Sequence, residues 1–101
     1  MKIKLKYRGY GFEAEKEVTM PLIFQNMLVS ISLDDGFSGG PVLFEVATVT
    51  YLLNHKYYEA TLRVYEILSS SKTKLEAKLK PLEFEAEGWT IAKNPTFQPI
   101  E

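Results

Sequence analysis

The chain has no cysteine, a single histidine and a single tryptophan in 101 residues. Without cysteine there is no disulfide framework and no thiolate metal site, and the absence suits a reducing compartment. Net charge is almost as scarce. The 12 basic and 13 acidic residues leave −1, so bulk charge neither draws the protein to DNA or RNA nor repels it. Long apolar runs are also missing. A membrane-spanning helix needs about 20 apolar residues in succession, and the runs here are only a few residues long. Residues 1–10 alternate Lys with apolar side chains, where a signal peptide places a continuous apolar segment after its basic start. These absences point to a cytoplasmic protein with no membrane partner, and are compatible with a viral or mobile-element source.

What is present is alternation. Hydrophobic residues make up 46% and charged residues 25%, enough for one folded domain with a modest core. Ile3, Leu5 and Tyr7 point one way, and Lys2, Lys4, Lys6 and Arg8 the other, the period of a half-buried strand. After Gly9-Tyr10-Gly11, Phe12, Ala14, Val18 and Met20 alternate with Glu13, Glu15, Glu17 and Thr19. A hairpin turning at Gly9-Tyr10 pairs Tyr7 with Phe12 and Leu5 with Ala14 on the apolar face. On the other face it sets Lys6 against Glu13, Lys4 against Glu15 and Lys2 against Glu17. Opposite charges directly across a strand pair contribute a few tenths to about 1 kcal/mol each. Lys16 breaks the pattern by falling on the apolar face, which suits a sheet edge.

A second hairpin follows. Residues 42–53 and 57–68 are rich in Val, Thr, Phe and Tyr, all strand formers. A turn at Asn54-His55 puts Ala47, Val49 and Tyr51 on one face with Tyr58, Ala60, Leu62 and Val64. Thr48, Thr50, Glu59, Thr61 and Arg63 take the other face. Loops of two or four residues preserve this parity. Residues 27–33 form a further strand with Val29, Ile31 and Leu33 facing inward, and residues 34–41 and 69–74 are turn-rich. The motifs Lys-Leu-Lys (4–6) and Phe-Glu-Ala-Glu (12–15) recur at 78–80 and 84–87, which predicts either a third hairpin, with Lys80 opposite Glu83, or one bulged strand. The expected fold is all-β: a single-domain antiparallel β-sandwich or small barrel of about 6–7 strands. It spans 1–92, with 93–101 an extended C-terminal tail. The alternative is an α+β fold with a helix near 54–68, capped by Asn54.

Gly36-Phe37-Ser38-Gly39-Gly40-Pro41 is similar to the Gly-Asp-Ser-Gly-Gly-Pro nucleophile loop of chymotrypsin-like serine proteases. In that family a His and an Asp precede the serine in the chain. Here no histidine precedes Ser38, and Phe37 replaces the residue that shapes the loop. A hydrolase using Ser38 is therefore the disfavoured reading. Gly36, Gly39 and Gly40 read as a turn. His55 stands alone in a turn, and Asp34-Asp35-Gly36 lacks the alternating acidic residues of a calcium loop. No metal or cofactor is implied.

With no nucleophile–base pair to assemble, the chain reads as a non-catalytic protein–protein interaction module. It would serve as a structural or accessory subunit, or as a small inhibitor of a larger enzyme or complex. Its aromatic content is 13%, and Tyr and Phe are enriched at interfaces. Tyr10, Phe37 and Phe97 fall in predicted loops or the tail, so they are the candidate protein-binding residues. A homo-oligomer is one form such a module takes. The alternative is an OB-like domain binding single-stranded nucleic acid through Lys2, Lys4, Lys6 and Arg8, against which the absence of net basic charge argues.

Overall fold

A computed structural model of the chain describes residues 1–33, 41–65 and 79–99. Six strands form one mixed sheet: β1 (Lys2–Gly9), β2 (Phe12–Thr19), β3 (Leu28–Ser32), β4 (Pro41–Leu52), β5 (Tyr57–Val64) and β6 (Thr90–Lys93). A short helix, α1 (Pro81–Ala86), precedes β6. The strand order is β3-β4-β5-β1-β2-β6. The fold is all-β, as the alternation implies, with one departure from a purely antiparallel plan. The hairpins β1–β2 and β4–β5 meet along β1 and β5, which run parallel. Alternation reports which face a side chain takes and is blind to the direction of the neighbouring strand.

One face of the sheet carries the core. Ile3, Leu5 and Tyr7 of β1 lie beside Phe12 and Ala14 of β2, Ala60, Leu62 and Val64 of β5, and Phe44 and Val46 of β4, all buried. Phe84 of α1 fills the centre of this face. Its ring stacks on Tyr7 at 5.3 Å and 15° and meets Trp89 edge-on at 5.3 Å. A bulge at Ala47 reverses the parity of β4. Because of it, Phe44 and Val46 before the bulge, and Val49 and Tyr51 after it, all share the face of Ala60 and Leu62.

The first hairpin keeps the expected faces but slides by two residues. Gly9 pairs with Phe12, Tyr7 with Ala14 and Leu5 with Lys16, so the turn is Tyr10-Gly11. Gly11 has φ = 80°, and an added Cβ at Gly9 would lie 2.4 Å from Phe12 Cε1. The two glycines thus have separate duties, one conformational and one steric. Glu15 and Glu17 still reach Lys4 (3.0 Å) and Lys2 (3.1 Å), now diagonally, while Arg8 takes Glu13 (3.2 Å). The second hairpin has the expected register, Tyr51 opposite Tyr58, with a four-residue loop between Leu52 and Tyr57. Tyr57–Val64 is strand, so the helix considered near 54–68 does not form over those residues.

The recurrence of Phe-Glu-Ala-Glu misleads. Residues 12–15 are strand, but Pro81–Ala86 is helix, and Lys80 does not pair across a hairpin with Glu83. Pro81 sits at the start of α1, where its fixed φ suits the first turn and its missing N–H costs nothing. Gly88, at φ = 86°, ends it. Gly88 N–H donates to Glu85 O (3.1 Å) and Trp89 N–H to Phe84 O (3.0 Å). These two bonds, with Trp89 packed on Phe84, make a Schellman termination.

Candidate functional site

Residues 18–33 contain no charged side chain, and β3 lies at one edge of the sheet. Val46 N–H donates to Met27 O (2.8 Å) just ahead of β3. In an antiparallel ladder the bonded positions alternate, so Val29 and Ile31 bond to β4. The N–H and C=O groups of Leu28, Ser30 and Ser32 then face away from it. Edge strands are usually guarded by Lys, Pro, bulges or covering segments; β3 has no charge and no proline along its length. The opposite edge is guarded. β6 is four residues long, ends in Lys93 and runs into Asn94-Pro95.

The sheet curls enough to bring β3 across from β2. Between them, on the core face, lies a cleft of about 360 Å³. Its walls are Val18 and Met20 from β2 and beyond, Val29 and Ile31 from β3, Leu5 from β1, and Trp89. Ser30 and Ser32 also line it; since their side chains take the outer face by register, they contribute the strand edge. Lys16 enters the cleft from the apolar face of β2. The β2–β6 ladder ends at Glu15 opposite Thr90, so Lys16 lies just past it, where the outer side of β2 is an edge, as its break in the alternation suggested. Its ammonium donates to the main-chain carbonyl of Glu87 at 2.8 Å, placing a positive charge where the α1 dipole is negative.

The outer face is a lattice of ion pairs. Lys6 lies between Glu15 (3.9 Å) and Glu59 (3.4 Å), and Arg63 bonds Glu45. With the Lys2, Lys4 and Arg8 pairs above, each basic residue proposed for nucleic acid has a carboxylate partner. Lys4 also bonds Tyr57 Oη (3.3 Å). The hydrogen bond to Glu15, then that to Tyr57, raises the pKa of Lys4 above the ordinary lysine value.

Of the residues singled out for protein contact, Tyr10 is 53% exposed at the tip of the first hairpin. Phe97 is half-buried and docks on its own chain. Gly11 N–H donates to Phe97 O (3.0 Å), Asn94 N–H to Gly11 O (3.0 Å), and the Arg8 guanidinium lies 4.8 Å over the Phe97 ring. The segment 94–97 therefore folds back in cis. Phe37, Ser38 and the rest of the glycine-rich loop up to Gly40 lie outside the described residues. His55 is exposed in the β4–β5 loop, its ring 5.8 Å from that of Tyr57. Among the described residues no cluster of His, Asp or Glu stands close enough to hold a metal ion, and no helix is long and apolar enough to cross a membrane. The cleft and the β3 edge were missed by reading residues singly. The uncharged run 18–33 was their signal. No family model, curated protein or solved structure matches the chain.

Proposed function

We propose that the chain is a non-catalytic protein–protein interaction module that docks through the edge of β3, onto the same edge of a second copy. The observation that carries this is the β3 edge, uncharged, free of proline and unpaired among the described residues, in contrast to the short, Lys93-ended β6. Two β3 strands running antiparallel about a two-fold axis at Ser30 set Ser30 against Ser30 and Leu28 against Ser32. That register joins every outward N–H and C=O of Leu28, Ser30 and Ser32 to a partner, and it brings no like charges together. Leu28 and Leu43, 45% and 38% exposed on the outer face beside this edge, would be partly covered by the join. The basic row on the outer face, matched by carboxylates, favours this reading over single-strand nucleic-acid binding, which relies on unpaired cations.

Light scattering on the eluting protein tests it. The expected mass at micromolar concentration is that of a dimer. Ser30→Pro removes one outward N–H and leaves the β3–β4 bonds intact, as proline is tolerated on edge strands whose N–H faces solvent. It is expected to give a monomer with an unchanged circular dichroism spectrum. A wild-type monomer at the highest attainable concentration overturns the proposal, as does a Ser30→Pro dimer.

A further inference from the structure

Lys16 differs from the cations of the outer face. Lys2, Lys4, Lys6, Arg8 and Arg63 each have a carboxylate within ion-pairing distance. Lys16 lies on the inner face and, among the described residues, has none. Among the described residues its one hydrogen bond goes to a main-chain carbonyl, which leaves two N–H groups free of a described partner and gives the charge the helix end but no paired carboxylate. A half-buried cation against an apolar wall is costly without a counter-charge. The cleft that it enters has the low end of the volume typical of small-molecule sites, and its other walls are chiefly aliphatic and aromatic. An apolar slot with one cation at its side is complementary to a molecule with an alkyl chain and one negative headgroup.

We propose that this cleft binds a medium-chain aliphatic carboxylate. The chain lies against Val18, Val29, Ile31 and Trp89, and the carboxylate sits on Lys16 Nζ. Glu87 also lines the cleft, and the competing possibility that it sets the preference, toward a cationic headgroup, is decided by the same experiment.

Trp89 is the only tryptophan in the chain and forms part of the wall, so its fluorescence reports occupancy of the cleft. Wild-type protein is titrated with octanoate, octanol, octylammonium and acetate. The expected result is a saturable change in Trp89 emission with octanoate, at roughly tenfold lower concentration than with octanol, and none with acetate. Added salt weakens octanoate and leaves octanol unchanged. In Lys16→Met the octanoate advantage over octanol disappears while octanol binding remains; Lys16→Arg keeps a preference for the anion. Tighter binding of octylammonium, equal binding of octanoate and octanol, or no saturable change in wild-type protein overturns the proposal. These three outcomes need no variant, so they stand even if Lys16→Met fails to fold.

Discussion

An added Cβ at Gly9 would lie 2.4 Å from Phe12 Cε1, and that ring has little freedom to withdraw. It packs against Tyr7 at 6.1 Å and Phe84 at 5.7 Å. Gly9→Ala is therefore expected to destabilise the fold by about 1–3 kcal/mol, read from the midpoint of urea unfolding. Lys4 makes a different kind of prediction. Its folded-state pKa is raised, first by the bond to Glu15 and then by that to Tyr57. A raised lysine stabilises the fold fully below its unfolded pKa, and loses that contribution as pH climbs through the folded one. The stability gap between wild type and Lys4→Met should thus be constant from neutral pH to about pH 10 and close above about 10.4. Denaturant unfolding of both proteins at neutral and strongly alkaline pH checks this; a gap that widens with pH contradicts it.

Phe-Glu-Ala-Glu forms strand at 12–15 and mostly helix at 84–87, so the four residues decide nothing by themselves. Their neighbours do. Pro81 ahead and Gly88 behind bracket a helix, a proline-start and glycine-stop asymmetry that was legible in the chain but hidden by the likeness to β2. At Gly88 a Cβ would meet nothing closer than Lys16 Nζ at 3.9 Å, but φ is 86°. Gly88→Ala should therefore cost about 1 kcal/mol through backbone conformation alone, seen as a lower melting temperature with an unchanged spectrum. The strands were easier to read. Both faces of β1, β2 and β5 followed from alternation, and the β4–β5 register followed from loop parity. Alternation is unchanged by a two-residue slide, which is why the β1–β2 register escaped until Gly11 was seen to take the positive φ. The Ala47 bulge escaped for a similar reason: a parity switch within β4 leaves two half-strands that each look regular.

At the scale of the molecule, what decides behaviour is which edges and cavities remain once the sheet has formed. The tail segment through Phe97 closes over the Tyr10-Gly11 turn, so the extended arm anticipated from its prolines is partly spent within the chain. The candidate site was the least legible feature. A cleft between β2 and β3 depends on sheet curl and strand order, and neither is carried by local periodicity. Lys16 stood out in the sequence as an exception on the apolar face, and the structure turns that exception into the cation of the cleft and the partner of the α1 terminus. The uncharged β3 edge carries the central claim. Amide hydrogen exchange at Leu28, Ser30 and Ser32, followed at low and high protein concentration, tests it most directly. Protection of these three amides that rises with concentration, and that is lost at Leu28 and Ser32 in Ser30→Pro, which has no amide hydrogen at position 30, is the predicted result. Fast exchange at every concentration, with β3–β4 protection intact at Val29 and Ile31, would contradict it.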